Sequence, residues 1–156
     1  MNILVVYDSY FGNTEKVANA IAEAMGEGAG VVRAADASNE QLKGLDYLFV
    51  GSPTRAFKAT KAVTDFLNKL PSGALSGVKV AAFDTRMDTK MVNNKVLTFM
   101  VGIFGYAAKP IADRLQKKGG VLVAEPEGFI VLDSEGPMKE GELERAAAWA
   151  QKIMTL

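Results

Sequence analysis

The chain of 156 residues contains no cysteine and no histidine. Disulfide staples, thiolate nucleophiles and Cys/His zinc sites are therefore excluded. So are a Ser-His-Asp triad and a histidine general base. Any redox chemistry must be carried by a borrowed cofactor. A net charge is missing as well, since Lys+Arg and Asp+Glu are both 18. A neutral chain has no electrostatic footprint for nucleic acid or a membrane surface, and neither is expected as a partner. The apolar stretch 96–108 is too short and too glycine-broken to span a bilayer. No charged n-region or small-residue cleavage site precedes the strand-like "NILVVY". A cytoplasmic protein is the expectation.

What is present is enough apolar material, 49% of the chain, for one core, and 1–156 reads as one domain. Short apolar runs alternate with amphipathic segments. "ILVVY" at 3–7 is rich in β-branched residues, as in a strand buried on both faces. Thr14, Val17, Ala18, Ile21, Ala22 and Met25 then recur at helical spacing, up to the glycine-rich stop "GEGAG". Strands are predicted at 31–36, near an edge, at 46–53, ending in Gly-Ser-Pro, and at 78–85. A fifth, at 121–125 and 128–132, is interrupted at Pro126. Val63, Phe66, Leu67 and Leu70 mark a second helix. A long helical segment from about 91 to 118 is predicted to be broken by Pro110 into two pieces, the second starting at Lys109, and a last helix carries Leu143, Ala146, Ala150 and Ile153. Five βα units predict a doubly wound α/β fold, with a parallel sheet and helices on both faces. Ligands of such sheets bind beyond the carboxyl ends of the strands. The loops 8–14, 52–61 and 84–93 are the ones to inspect.

The first of these, "SYFGNT", holds no lysine, arginine, cysteine or histidine. It lies between a buried strand and a helix, so the helix turns its free N–H groups and positive dipole end towards it. Ser9, Asn13 and Thr14 offer neutral donors, and Gly12 lets the backbone approach. Such a nest can hold a phosphate without a cation. The plainer alternative is that Ser9, Asn13 and Thr14 only cap the helix. A P-loop needs its lysine just before the helix, whereas Lys16 lies inside it. Glu140, Glu142 and Glu144 read as a solvated helix face.

The loop resembles the phosphate-binding loop of flavodoxins, roughly Thr/Ser-x-Thr-Gly-Asn-Thr. Here it is Ser9, Tyr10, Phe11, Gly12, Asn13 and Thr14, with Phe11 where a hydroxyl is usual. The likeness extends over the whole chain through "VGSPTRAF", "AFDTR" and "EGPMKEGELERAAAWA". It implies the sheet order 2-1-3-4-5, FMN held without a covalent bond, and the flavin ring between the loops after strands three and four. Pro53, Thr54, Arg55, Ala56 and Phe57 would form the first ring loop, with Phe57 covering one face of the ring. Asp84, Thr85, Arg86 and Met87 would form the second. Many flavodoxins place a tyrosine there; this chain has none, so Met87 substitutes or the outer face stays open. Arg55 and Arg86 either face the flavin's pyrimidine end or form ordinary ion pairs.

The implied function is electron transfer between redox partner proteins. The alternative is an FMN-dependent NAD(P)H or quinone oxidoreductase, and a fold that has lost its flavin is a third reading, suggested only by Phe11. The basic run "TRAFKATK" sets the chain apart from flavodoxins that dock through acidic surfaces. The apolar segment 96–108 either wedges against the sheet or forms an exposed patch for a homodimer or a redox partner.

Overall fold

The computed structural model describes residues 1–88 and 94–156. Its sheet is parallel. β1 (Ile3–Tyr7) lies between β2 (Ala29–Arg33) and β3 (Tyr47–Pro53), and β4 (Lys79–Met87) follows β3. The last position is shared by two short strands. β5 (Val121–Leu122) pairs with the start of β4, and β6 (Glu127–Val131) pairs with its end. The order is β2-β1-β3-β4-β5, as the sequence implied, with the interruption around Pro126 as predicted.

Strand residues alternate between the two faces, and each face meets two helices. Leu4, Val6, Leu48, Val50 and Val80 pack against α2 (Lys61–Lys69) and α4 (Ala108–Lys117), through Val63, Leu67, Ile111 and Leu115. Val5, Phe49, Phe83 and Phe129 pack against α1 (Asn13–Met25) and α5 (Glu142–Met154), through Val17, Ile21, Ala146 and Ile153. Trp149 of α5 meets Phe49, Phe83 and Phe129 edge-on, at 5.7, 6.4 and 5.9 Å between ring centres. Such pairs add to what area burial alone gives.

β3 ends in Gly51-Ser52-Pro53, as the sequence reading had it, and two other readings need correction. Gly51 is small because the Phe83 ring lies over it: a Cβ there would sit 2.1 Å from that ring. The long helical segment breaks at residues 105–107, between α3 (Lys95–Phe104) and α4, and not at Pro110. Pro110 stands in the first turn of α4, where no intrahelical partner awaits its missing N–H. Gly105, at φ 73°, makes the break. Finally, Glu142 is buried and not solvated. Its carboxylate accepts the Ile130 N–H at 2.7 Å and is gripped by Arg145 at 2.9 Å. Arg145 also pairs with Glu127 at 3.0 Å, donates to the Gly128 carbonyl and covers the Phe129 ring. It fastens α5 to β6. Residues 91–93 of the predicted long helical segment, and residues 89–93 of the loop 84–93, lie outside the described residues.

Two outcomes follow from this packing. Gly51→Ala is expected to lower unfolding stability by about 3 kcal/mol, read from urea denaturation, because the Phe83 ring must move. The Arg145 hydrogen bond holds the Glu142 carboxyl below its ordinary pKa. A depressed carboxylate stabilises the fold above its unfolded pKa, and that stability is lost as pH falls through the folded value. Urea midpoints are therefore expected to drop below about pH 4.5, and Glu142→Gln, less stable at pH 7, is expected to flatten that drop.

Candidate functional site

The carboxyl ends of β1, β3, β4 and β6 surround a cavity of about 320 Å³. This is where the strand order reverses between β1 and its two neighbours, the usual place for a ligand in an open α/β sheet. The loop after β1 contributes Ser9, Tyr10, Phe11, Asn13 and Thr14. The end of β3 and its loop contribute Pro53, Thr54, Arg55 and Ala56, and the end of β4 contributes Thr85, Arg86 and Met87. Three residues singled out in the sequence do not line the cavity. Gly12 supplies the left-handed turn (φ 93°) that starts α1. Phe57 is half-buried in its turn, and Asp84 has no exposed surface.

No side chain caps α1. Ser9 Oγ accepts the Gly12 N–H at 3.0 Å, and this shapes the loop. Asn13 Nδ2 donates to the Glu135 carbonyl at 3.1 Å. The Thr14 and Thr85 hydroxyls meet at 2.8 Å and tie the first loop to β4. Among the described residues, the N–H groups of Tyr10, Phe11, Asn13, Thr14 and Glu15 find no acceptor. The simple capping reading of Ser9, Asn13 and Thr14 therefore does not describe this turn.

Behind the loop, Arg33 of β2 donates to the Ser9 carbonyl at 3.1 Å, covers the Tyr7 ring, and lies 3.6 Å from both Asp8 and Glu15. It is a brace that the sequence reading missed. So is the loop after β6, which brings Val131 and Ser134 to the cavity wall. Gly136, at φ 105°, packs so tightly on Asn13 that a Cβ would sit 2.8 Å from its amide oxygen. The signal for this loop was in the quoted "EGPMKEGELE", which was read only as a family likeness.

The ring loops are pinned at their bases. Ser52 Oγ accepts the Thr60 N–H at 3.0 Å, and the Thr54 N–H is donated to the Thr85 carbonyl at 2.9 Å. Between them, Arg55 and Lys58 exchange backbone hydrogen bonds of 2.9 and 3.0 Å. This leaves Ala56 and Phe57 as a two-residue turn with φ of 48° and 69°. Both central residues at positive φ define a type I′ turn, which normally asks for Asn-Gly. The Arg55 guanidinium lies 5.3 and 5.7 Å from the centres of the Tyr10 and Phe11 rings, bridging two loops at the cavity rim. Phe11 is half exposed there and does not fill the cavity.

Arg86 resolves one of the two readings of its role. It grips the buried Asp84 carboxylate with two hydrogen bonds of 2.7 Å, and its guanidinium lies 3.7 Å from the Tyr106 ring centre. Burial pushes the Asp84 carboxyl above its ordinary pKa, while Arg86 and the Ala108 N–H pull the other way. The charge that Arg86 brings to the wall is thus largely answered from below. Asp84 also accepts the Ala108 N–H at 2.9 Å, and Thr54 Oγ1 accepts the Ala107 N–H at 3.1 Å. The start of α4 is anchored on both ring loops.

Because Ala56 pays for its left-handed backbone, Ala56→Gly is expected to raise stability by about 1 kcal/mol in thermal unfolding of the ligand-free protein. An unchanged or lowered midpoint would show that the turn is not strained at this residue.

A family model described as a flavodoxin domain matches residues 4–124. No curated protein matches the chain. Among solved structures, a flavodoxin from the domain Archaea is 21% identical and superposes with a TM-score of 0.76, over 99% of this chain and 97% of that one. Oxidised flavodoxin 2 from Bacillus cereus is 24% identical, with a TM-score of 0.74 over 99% of each. A WrbA-like flavodoxin from Agrobacterium tumefaciens is 18% identical, with a TM-score of 0.72 over 99% of this chain and 95% of that one. At these identities the structures attest the shared fold, and the family model attests the lineage: the chain belongs to the flavodoxin family, whose members bind FMN.

Proposed function

We propose that this protein is an electron carrier of the cytoplasm that works through FMN held in the cavity described above. The observation that carries the reading is the donor set of the first loop. Five N–H groups without acceptors among the described residues converge at a helix N-terminus, beside the Ser9 and Thr14 hydroxyls. No carboxylate lines the cavity among those residues. A phosphate dianion is the ligand that this arrangement fits, since helix N-termini and backbone nests favour negative charge. Phe11 has no hydroxyl to offer, but its N–H points to the same role as its neighbours'.

Bound FMN supplies one- and two-electron chemistry that no side chain of this chain can perform. The protein's share is binding and orientation. Ser9, Asn13 and Thr14 would hold the phosphate, and Pro53–Ala56 and Thr85–Met87 would flank the ring. The Asp84–Arg86–Tyr106 stack keeps the second ring loop fixed, so that little rearrangement accompanies a change of charge at the site. A second reading, an FMN-dependent reductase of NAD(P)H or a quinone, draws support from Met87. This unbranched thioether lines the wall after β4, at the loop where many flavodoxins carry a tyrosine.

The stripped protein is expected to bind FMN at least about a hundredfold more tightly than riboflavin, because only the phosphate answers the loop's donors. Equal affinities, measured by flavin fluorescence quenching, would remove the phosphate grip. Under anaerobic NADPH the loaded protein is expected to keep its yellow absorbance. Rapid bleaching would replace the carrier reading with the reductase.

A further inference from the structure

We propose that the outward face of α3 is a docking surface for a redox protein whose own contact face is acidic. The inference rests on the electron-carrier reading above. Val96, Phe99 and Ile103 are 71%, 67% and 60% exposed. Their spacing puts them on one stripe of the helix. An amphipathic helix in a folded protein normally turns that stripe inward, and here it faces out. On the other side of α3, Leu97, Met100 and Val101 are half-buried, so this stripe is the side the helix turns outward.

The stripe stands next to the cavity. The chain leaves α3 through Tyr106 and Ala107, which touch Arg86 and Thr54. Met87, Arg86 and Thr54 all line the cavity. A helix of ten residues is about 15 Å long, and its C-terminal end leads directly to these contacts.

Charge then selects the partner. Every charged residue from 89 to 112 is a lysine, namely Lys90, Lys95 and Lys109, and from 54 to 64 the charges are Arg55, Lys58 and Lys61. Asp65 answers Lys61 at 2.6 Å, and Asp113 answers Lys109 at 3.0 Å. Arg55, Lys58 and Lys95 have no carboxylate partner among the described residues. α3 and the loop after β3 therefore carry more positive than negative charge beside the apolar stripe, with Asp88 the one carboxylate among residues 54–64 and 88–112. An apolar core with a charged rim is the anatomy of a protein interface. A partner of opposite charge is steered to it, whereas a second copy would set like charges against each other across a two-fold axis.

The test uses the FMN-loaded protein and a reduced plant-type [2Fe–2S] ferredoxin, an acidic one-electron donor. Two ferredoxins are oxidised for each FMN fully reduced, with protons taken from water. At low salt, Phe99→Ala/Ile103→Ala and Lys58→Glu/Lys95→Glu are each expected to slow the bleaching by about tenfold. High salt is expected to slow the unmodified protein similarly. FMN affinity should stay unchanged in both double variants. Transfer that ignores salt and both variants would overturn this proposal while leaving the carrier reading intact. No transfer either from ferredoxin or to basic cytochrome c would overturn both. A dimer in sedimentation velocity that the Phe99/Ile103 variant abolishes would assign the face to a second copy. Co-sedimentation with phosphatidylglycerol vesicles, lost in the same variant, would assign it to lipid.

Discussion

A backbone N–H held away from water without an acceptor costs on the order of 1–3 kcal/mol. The first turn of α1 and the loop before it gather five N–H groups that find no acceptor among the described residues, at Tyr10, Phe11, Asn13, Thr14 and Glu15. The side chains that could have answered them are engaged elsewhere. Ser9 closes the turn at Gly12, Asn13 reaches to the loop after β6, and Thr14 meets Thr85 on β4. The turn is held open towards the cavity by contacts from four separate segments. Its need for an anion is built in before any ligand arrives, so binding spends little on ordering the loop.

The opposite wall is held by a different device. Asp84 has no exposed surface, yet it joins two elements: it grips the Arg86 guanidinium of its own strand, which lines the cavity, and it accepts from the first turn of α4. A carboxylate at a helix N-terminus is favoured by the helix dipole. Breaking such a buried pair by removing one partner is costly, because the other charge is left unanswered. Arg86 is thereby fixed against Tyr106 and is not free to reach for a ligand. Of the two arginines at the site, Arg55 has no carboxylate partner among the described residues and lies over the faces of Tyr10 and Phe11.

Much of this was legible in the sequence. The β-branched run of β1 and the helical spacing of α1 follow from local periodicity, and the break at Pro126 from proline chemistry. The order of the sheet, and the gathering of the first loop with the ends of β3 and β4, followed from the topology implied by the family likeness. What was not legible depends on contacts far apart in the chain. Gly51 is needed by Phe83, and Gly136 by Asn13, neither of which is a sequence neighbour. Glu142 read as solvated because helical spacing cannot show that Arg145 and the Ile130 N–H await it. Arg33 went unnoticed because its role lies in bracing another strand's loop. Pro110 misled because the same residue that breaks a helix interior is at home in a first turn.

The divided last position of the sheet has a consequence for how copies of this protein can meet. β5 is two residues long, and β6 is covered on its outer side by the returning chain, where Leu132 and Lys139 donate to the Pro137 and Ile130 carbonyls respectively. That margin has no long row of open backbone groups on which a foreign strand could add. Among the described residues β2 is the extended border that remains, so sheet extension between crowded or partly destabilised molecules would begin there.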